Sequence, residues 1–234
     1  MGVAAYNRER LYALRYARRL TAWRSEFMSL LEIPLGPLRA CGLRGALSGP
    51  FDLDLAPGRC TVLSGPSGIG KSLLLRMLAD LDPNQGQVSL AGVARERMPA
   101  SAWRRLVTYV AAESGWWEEG VAAHFANLDA ARALLPRVRL DPALLQARVA
   151  QLSTGERQRL ALLRAVVQRP RFLLLDEPTA ALDAASREGV EQLLQALKAE
   201  GLGLLVVSHD AGQARRLADV HLQLDEHGLS EVQP

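Results

Sequence analysis

The sequence predicts an α/β fold built on a parallel sheet, and two features predict it. Short apolar runs starting at Cys60, Phe172 and Leu204 recur between stretches of helical periodicity. Runs without a polar side suit parallel strands, which their connecting helices cover on both faces. The second feature is a glycine-rich loop that follows the first run and opens a helical one.

Along the chain, residues 6–31 place Leu11, Leu14, Leu20, Trp23, Phe27, Leu30 and Leu31 among arginines, the spacing of an amphipathic helix that Ile33-Pro34 ends. From Leu38 the pattern changes to short apolar runs broken by Gly, Pro and Asp. Phe51, Leu53 and Leu55 alternate with Asp52 and Asp54, giving a strand with one wet face. Pro57-Gly58 turns the chain into the buried run 60–64, and a helix is expected over 72–79. Residues 113–165 are rich in Ala, Leu and Arg and are expected to be mostly helical, a small lobe inserted before the strand at 172–176. Helices at about 186–200 and 211–218 and strands at 204–208 and 220–224 complete the pattern. The division expected is an N-terminal extension, 1–34, and one domain, 35–234.

Hydrophobic residues make up 49% of the 234 and charged residues 23%, which supports a large core. Residues 1–27 carry six arginines against two glutamates, leaving the rest of the chain at −1. The body therefore offers no basic surface for nucleic acid. Cys41 and Cys60 lack metal-ligand spacing and are expected to be reduced, buried thiols of a cytosolic protein. No uncharged apolar stretch approaches the roughly 20 residues that span a bilayer, and the N-terminus lacks a signal-peptide pattern. Any membrane connection is expected to run through a partner.

The loop Gly65-Pro66-Ser67-Gly68-Ile69-Gly70-Lys71-Ser72 matches G-x-x-x-x-G-K-[ST] in its required setting between strand and helix. Glycines let backbone N–H groups converge on a triphosphate, and the helix N-terminus adds partial positive charge. Lys71 is expected to reach the β- and γ-phosphates and Ser72 to ligate Mg²⁺. Downstream, the run 172–176 ends in Asp176 and Glu177, a carboxylate for Mg²⁺ and a neighbour able to polarise a water. Together they predict a P-loop NTPase that uses Mg²⁺, a description that small-molecule kinases, GTPases and DNA motors share.

Three further segments narrow the reading. Leu152-Ser153-Thr154-Gly155-Glu156, the run Glu177-Pro-Thr-Ala-Ala-Leu-Asp183, and Ser208-His209-Asp210 follow the phosphate loop in order. From about residue 38 onward the chain resembles the ATP-binding cassette (ABC) ATPases, and bacterial transporter subunits in particular. The resemblance implies a P-loop sheet core with a small helical lobe. It implies a homodimer with two ATP molecules sandwiched between the chains: Ser153, Thr154, Gly155 and Glu156 would contact nucleotide held by the other copy, and Asp183 would signal across the interface. It casts Glu177 and His209 as catalytic, with His209 holding the γ-phosphate. It also implies a transmembrane permease as partner and a place at the inner face of the cell membrane. The compact form and the short segment between Glu113 and Leu152 resemble metal-export ATPases of this class.

Three positions depart from the family pattern. Thr154 and Glu156 stand where Gly and Gln are usual. Ala112 falls where a Mg²⁺-contacting glutamine is expected, which leaves Glu113 as the candidate replacement. No aromatic residue lies between Leu30 and Pro50 to stack on adenine. After Glu113, Trp116 and Trp117 form either a docking surface for the permease or part of the lobe's core. The arginine-rich N-terminus is read as an extension upstream of a natural start at Met28, the alternative being a segment lying on an anionic membrane or a partner. Two other functions compete: an ABC-type assembly factor without a membrane partner, and a P-loop kinase, which leaves 152–156 and 208–210 without a role.

Overall fold

Alternation of apolar and charged residues lays down the first sheet. In the computed structural model, which describes residues 33–46 and 48–232, Leu38–Arg44 (β1) pairs antiparallel with Phe51–Leu55 (β2). Phe51, Leu53 and Leu55 are buried, while Asp52 and Asp54 face water. The expected helix at 6–31 lies outside the described residues. Cys60–Ser64 (β3) has no wet side and begins the second sheet. Lys71–Leu78 (α1) follows the glycine-rich loop. Gln85–Leu90 (β4) and Val93–Ala94 (β5) then return to the first sheet, ordered β2-β1-β4-β5.

Ala100–Leu106 (α2) leads into Val107–Val110 (β6). After the lobe, with Leu128–Leu134 (α3) and Thr154–Val166 (α4), come Phe172–Asp176 (β7), Ala184–Ala199 (α5), Gly203–Val207 (β8), Ala211–Leu217 (α6), Val220–Asp225 (β9) and Gly228–Glu231 (β10). The second sheet runs β10-β9-β3-β8-β7-β6, parallel except for the β9–β10 hairpin. Every residue of β7 and β8 is buried, as strands between two helical layers must be. In such sheets ligands gather where the strands' carboxyl ends open. Here those ends carry Ser64-Gly65, Asp176-Glu177 and Ser208-His209.

The lobe sharpens one expectation. Helical turns fill most of residues 113–165, but before Leu152 more of them are 3-10 than α. Between Ala111 and Leu152 the only α-helix among the described residues is the seven-residue α3, and 3-10 turns at 121–124, 135–138, 142–146 and 149–151 do the rest. Pro136 and Pro142 supply no backbone N–H. Asn127 and Asp141 turn their side-chain oxygens onto the N–H groups of Ala130 and Ala143, starting new turns. The turns still bury Val121, Leu135, Val138 and Leu145 in one cluster with Leu160 and Leu163 of α4 and with Leu173 and Val206 of the sheet.

The cysteines divide. Cys60 is buried, and burial pushes its thiol up to about 12, so it stays protonated. Cys41 is exposed, contrary to expectation, because its side of β1 faces water. No helix of the described residues is long and apolar enough to cross a membrane.

Candidate functional site

The phosphate loop is shaped by its glycines. Gly65 has φ 148°, and a Cβ there would strike the Leu224 carbonyl oxygen of β9. Gly70, at φ 109°, is the left-handed residue from which α1 starts. Pro66, Ser67 and Gly68 form the exposed crest, and Ile69 N–H donates back to the Pro66 carbonyl at 3.5 Å. Lys71 is buried at the first turn of α1 and donates through Nζ to the Gly65 and Pro66 carbonyls, both at 2.8 Å. Burial lowers its pKa, opposed by the charges of Glu177 and Asp176, so both carboxylates act on this ammonium group. Ser72 is exposed one residue further on.

Asp176 closes β7 and is buried, with Oδ2 accepting from the Tyr109 hydroxyl at 3.0 Å. Burial, then the Asp176 charge, push the Tyr109 phenol upward. Glu177 takes a left-handed conformation, φ 49°, uncommon for a residue with a side chain. Its backbone is pinned at both ends: the N–H donates to the Val207 carbonyl at 3.1 Å, and the carbonyl accepts from Gln158 Nε2 of α4 at 2.7 Å. That backbone turn sets Glu177 Oε1 3.1 Å from His209 Nε2, beyond the end of β8. Strain of this kind, held by its surroundings, is common at functional sites. Glu177, Thr179, Arg187, His209, Asp210 and Gln213 line a cavity of about 300 Å³. Asp210 accepts from Gln213 N–H and Gly212 N–H, which hold its carboxyl below the usual range and start α6.

A second group lies at two other helix starts. Ser153 Oγ accepts from Glu156 N–H at 3.2 Å, and Glu156 Oε2 accepts from Ser153 N–H and Oγ at 2.8 Å each, a capping box that begins α4. Thr154 is exposed in that first turn. Gly155 packs against 181–182: a Cβ there would lie 3.2 Å from Leu182 Cδ2. Asp183 caps α5, accepting from Ser186 N–H and Oγ at 2.9 and 2.8 Å, which hold its carboxyl low. No side chain of 153–156 or Asp183 forms a hydrogen bond or ion pair with Lys71, Asp176 or Glu177 among the described residues. Gln158 of α4 joins the two groups through the Glu177 carbonyl.

Glu113 is exposed. It stands three residues beyond Val110, where β6 ends. The loop after β1 lies over the phosphate loop, where a Cβ on Gly70 would sit 3.4 Å from Ser48 Cβ, and that loop carries no aromatic ring.

The tryptophans separate. Trp116 is half-buried and packs on the core cluster, whereas Trp117 is 69% exposed. The Arg164 guanidinium of α4 sits 4.9 Å from the Trp116 ring centre and 4.8 Å from that of Trp117, and donates to the Gly115 carbonyl at 3.1 Å. His124 Nε2 accepts from the N–H groups of Trp117 and Glu118 at 3.1 Å.

A family model described as ABC transporter matches residues 49–180. The chain belongs to the ABC transporter family. Among curated relatives, it is 37% identical to "Fe(3+) ions import ATP-binding protein FbpC" of Mesorhizobium japonicum, over 82% of this chain and 56% of that one. It is 37% identical to "Aliphatic sulfonates import ATP-binding protein SsuB 2" of Xanthomonas axonopodis pv. citri, over 89% and 74%. A third, "Aliphatic sulfonates import ATP-binding protein SsuB 1" of Pseudomonas fluorescens, is 42% identical over 79% and 70%. The chain thus spans about half to three quarters of these relatives. Of solved structures, the dimeric post-hydrolysis state of an ATP-binding cassette bound to ADP and Pi superimposes with a TM-score of 0.70 at 22% identity, over 84% of this chain and 99% of that one. An ATP-binding subunit of an ABC transporter gives 0.74 at 22%, over 84% and 90%. These two support the fold.

As an ATP-binding subunit of the ABC family, of bacterial type, the chain is an ATPase. Family membership sets the kinase alternative aside. The likeness to metal exporters does not stand, since these curated relatives are named for import. One feature of the candidate site is not read from the sequence: the Tyr109–Asp176 bond. A hydroxyl-bearing ring on the strand beside the Asp176 strand was its only signal.

Proposed function

We propose that this chain hydrolyses ATP as a homodimer and powers an ABC importer through a transmembrane permease at the inner face of the cell membrane. The observation that carries the reading is the Glu177–His209 pair, 3.1 Å apart at adjacent strand ends, with both carboxylates acting on Lys71. Residues 65–72 hold the triphosphate: loop N–H groups face its oxygens, and Lys71 exchanges the Gly65 and Pro66 carbonyls for the β- and γ-phosphates. Glu177 accepts a proton from a water as the water's oxygen bonds to the γ-phosphorus and the bond from that phosphorus to the β–γ bridging oxygen breaks, releasing ADP and inorganic phosphate. His209 holds Glu177 and the γ-phosphoryl group in line.

Ser72 and Asp176 suit Mg²⁺. Among the described residues no three His, Cys, Asp or Glu side chains form a cage, and Mg²⁺ favours one or two protein oxygens plus phosphates and water. When bound, it neutralises charge on the phosphate oxygens. Ser153, Thr154, Gly155 and Glu156 of one copy meet the γ-phosphate held by the other, with Asp183 beside them. That none of their side chains bonds to Lys71, Asp176 or Glu177 among the described residues supports that reading. The capping hydroxyl of Ser153 then turns from Glu156 to the nucleotide.

Exposed Trp117 is the centre of the permease contact. The domain division at 34/35 and the cargo class follow the same reading. The import names of the relatives support inward transport of a small solute selected by the permease.

Glu177→Gln is the test. It should lower ATP turnover more than 100-fold while ATP binding persists, and the protein should elute as a dimer only with ATP. A variant that binds ATP tightly yet stays monomeric at saturating nucleotide would refute the sandwich.

A further inference from the structure

Asp176 is buried on β7, and the Tyr109 hydroxyl is the one hydrogen-bond donor to its carboxylate among the described residues. Tyr109 lies opposite Leu174 in the parallel β6–β7 ladder. Residues in register point to the same face and side chains alternate along a strand, so Tyr109, Leu174 and Asp176 share one face. The ring must then lean along the strand to place its oxygen 3.0 Å from Oδ2. α1, which follows the phosphate loop, packs against β6, and its Arg76 guanidinium, fixed to Asp82 by two bonds of 2.7 and 2.6 Å, acts on the phenol electrostatically. Tyr109 is therefore bonded to the strand that carries Asp176 from a strand that packs under α1.

We infer that Tyr109 is a positioning residue that fixes the Asp176 carboxylate for the divalent cation of the nucleotide complex. A carboxylate free to rotate presents either oxygen, and a buried one without a donor draws water or turns away. The phenol donates to Oδ2 and so commits that oxygen, leaving the other as acceptor for the cation or its water. Tyrosine keeps its proton at neutral pH and acts as donor throughout. Groups that orient a metal-binding carboxylate in this way typically contribute ten-fold or more to metal affinity.

The inference rests on the proposed role of Asp176, and the experiment separates the two. Mg²⁺ is titrated against the full-length protein with a fluorescent trinitrophenyl-ATP probe, and the same binding is measured in EDTA. Tyr109→Phe should raise the Mg²⁺ concentration at half-saturation about ten-fold and leave binding in EDTA unchanged. Asp176→Asn should abolish the Mg²⁺ dependence. A Tyr109→Phe protein with the wild-type Mg²⁺ midpoint, beside an Asp176→Asn protein that has lost its dependence, overturns the Tyr109 role alone. Equal weakening in EDTA and Mg²⁺ overturns it too, since packing then explains the loss. An Asp176→Asn protein with wild-type Mg²⁺ dependence removes the metal role of Asp176 itself. Should the phenylalanine variant not fold, Tyr109→Met fills the same space without a donor and faces the same criteria.

Discussion

The strand ends around Lys71 and the segment around Trp117 are held in opposite ways. At the strand ends the backbone does the work: Gly65 fits under the Leu224 carbonyl, and the Glu177 backbone is fastened to Val207 and Gln158 in a left-handed conformation. Around Trp117 the segment has no sheet partner, apart from the Gly120–Arg148 bridge, and is held by side chains: Arg164 over two rings and His124 receiving two N–H groups. A site that stabilises charge needs fixed dipoles, and backbone embedded in a buried sheet supplies them. A surface that responds to a partner suits weaker, separable side-chain contacts.

Two glycines sharpen the contrast, and the first carries the largest effect. Gly65→Ala meets the Leu224 carbonyl and a φ that alanine rarely adopts. It should cost about 3 kcal/mol, lower the melting temperature by about 10 °C and reduce ATP affinity by more than ten-fold. Gly115→Ala meets nothing within 4 Å and has no positive φ, so its effect should stay within about 0.5 kcal/mol. Thermal melts and nucleotide titrations on both variants decide it. Equal losses would mean that the two regions are fastened alike.

The same contrast explains what was legible in the sequence. β3, β7 and β8 were visible because burial on both faces leaves an unbroken apolar run, and the site residues follow from where those runs stop. β4, β5 and α2 left no comparable trace, since Gln85–Leu90 is buried only at Val88 and Leu90. The lobe's helical character was legible because Ala, Leu and Arg favour helix by propensity, whereas its division into short 3-10 turns is decided by Pro136, Pro142 and the caps at Asn127 and Asp141. Tyr109 was invisible as a partner of Asp176 because the two are 67 residues apart and only the β6–β7 register joins them.

Arg164→Ala tests the lobe side directly and ranks second. It removes two cation–ring contacts and the bond to the Gly115 carbonyl, a loss of about 1–2 kcal/mol. Amide exchange should accelerate from residue 114 to 125 and stay unchanged in β3, β7 and β8, with ATP affinity unaltered. Exchange that rises evenly through the sheet would show that Arg164 supports the whole core instead.

The smallest effect concerns pH at the start of α4. Hydrogen bonds from Ser153, first its N–H and then its hydroxyl, hold the Glu156 carboxyl below its ordinary value of 4.5. A carboxyl whose folded value is depressed stabilises the fold above its unfolded value, and that stabilisation fades as pH falls through the lower, folded one. Glu156 should therefore add an acid limb to stability that begins near pH 4.5 and deepens below it. Glu156→Gln keeps an acceptor for the capping box but cannot titrate. Its melting temperature should match the wild type at pH 7 within the range of a single cap, about 1 kcal/mol or less, and fall less steeply between pH 5 and pH 3. Parallel acid limbs for the two proteins would place the acid sensitivity elsewhere, with Asp183 and Asp210, whose carboxyls are held low by their own helix caps, next in line.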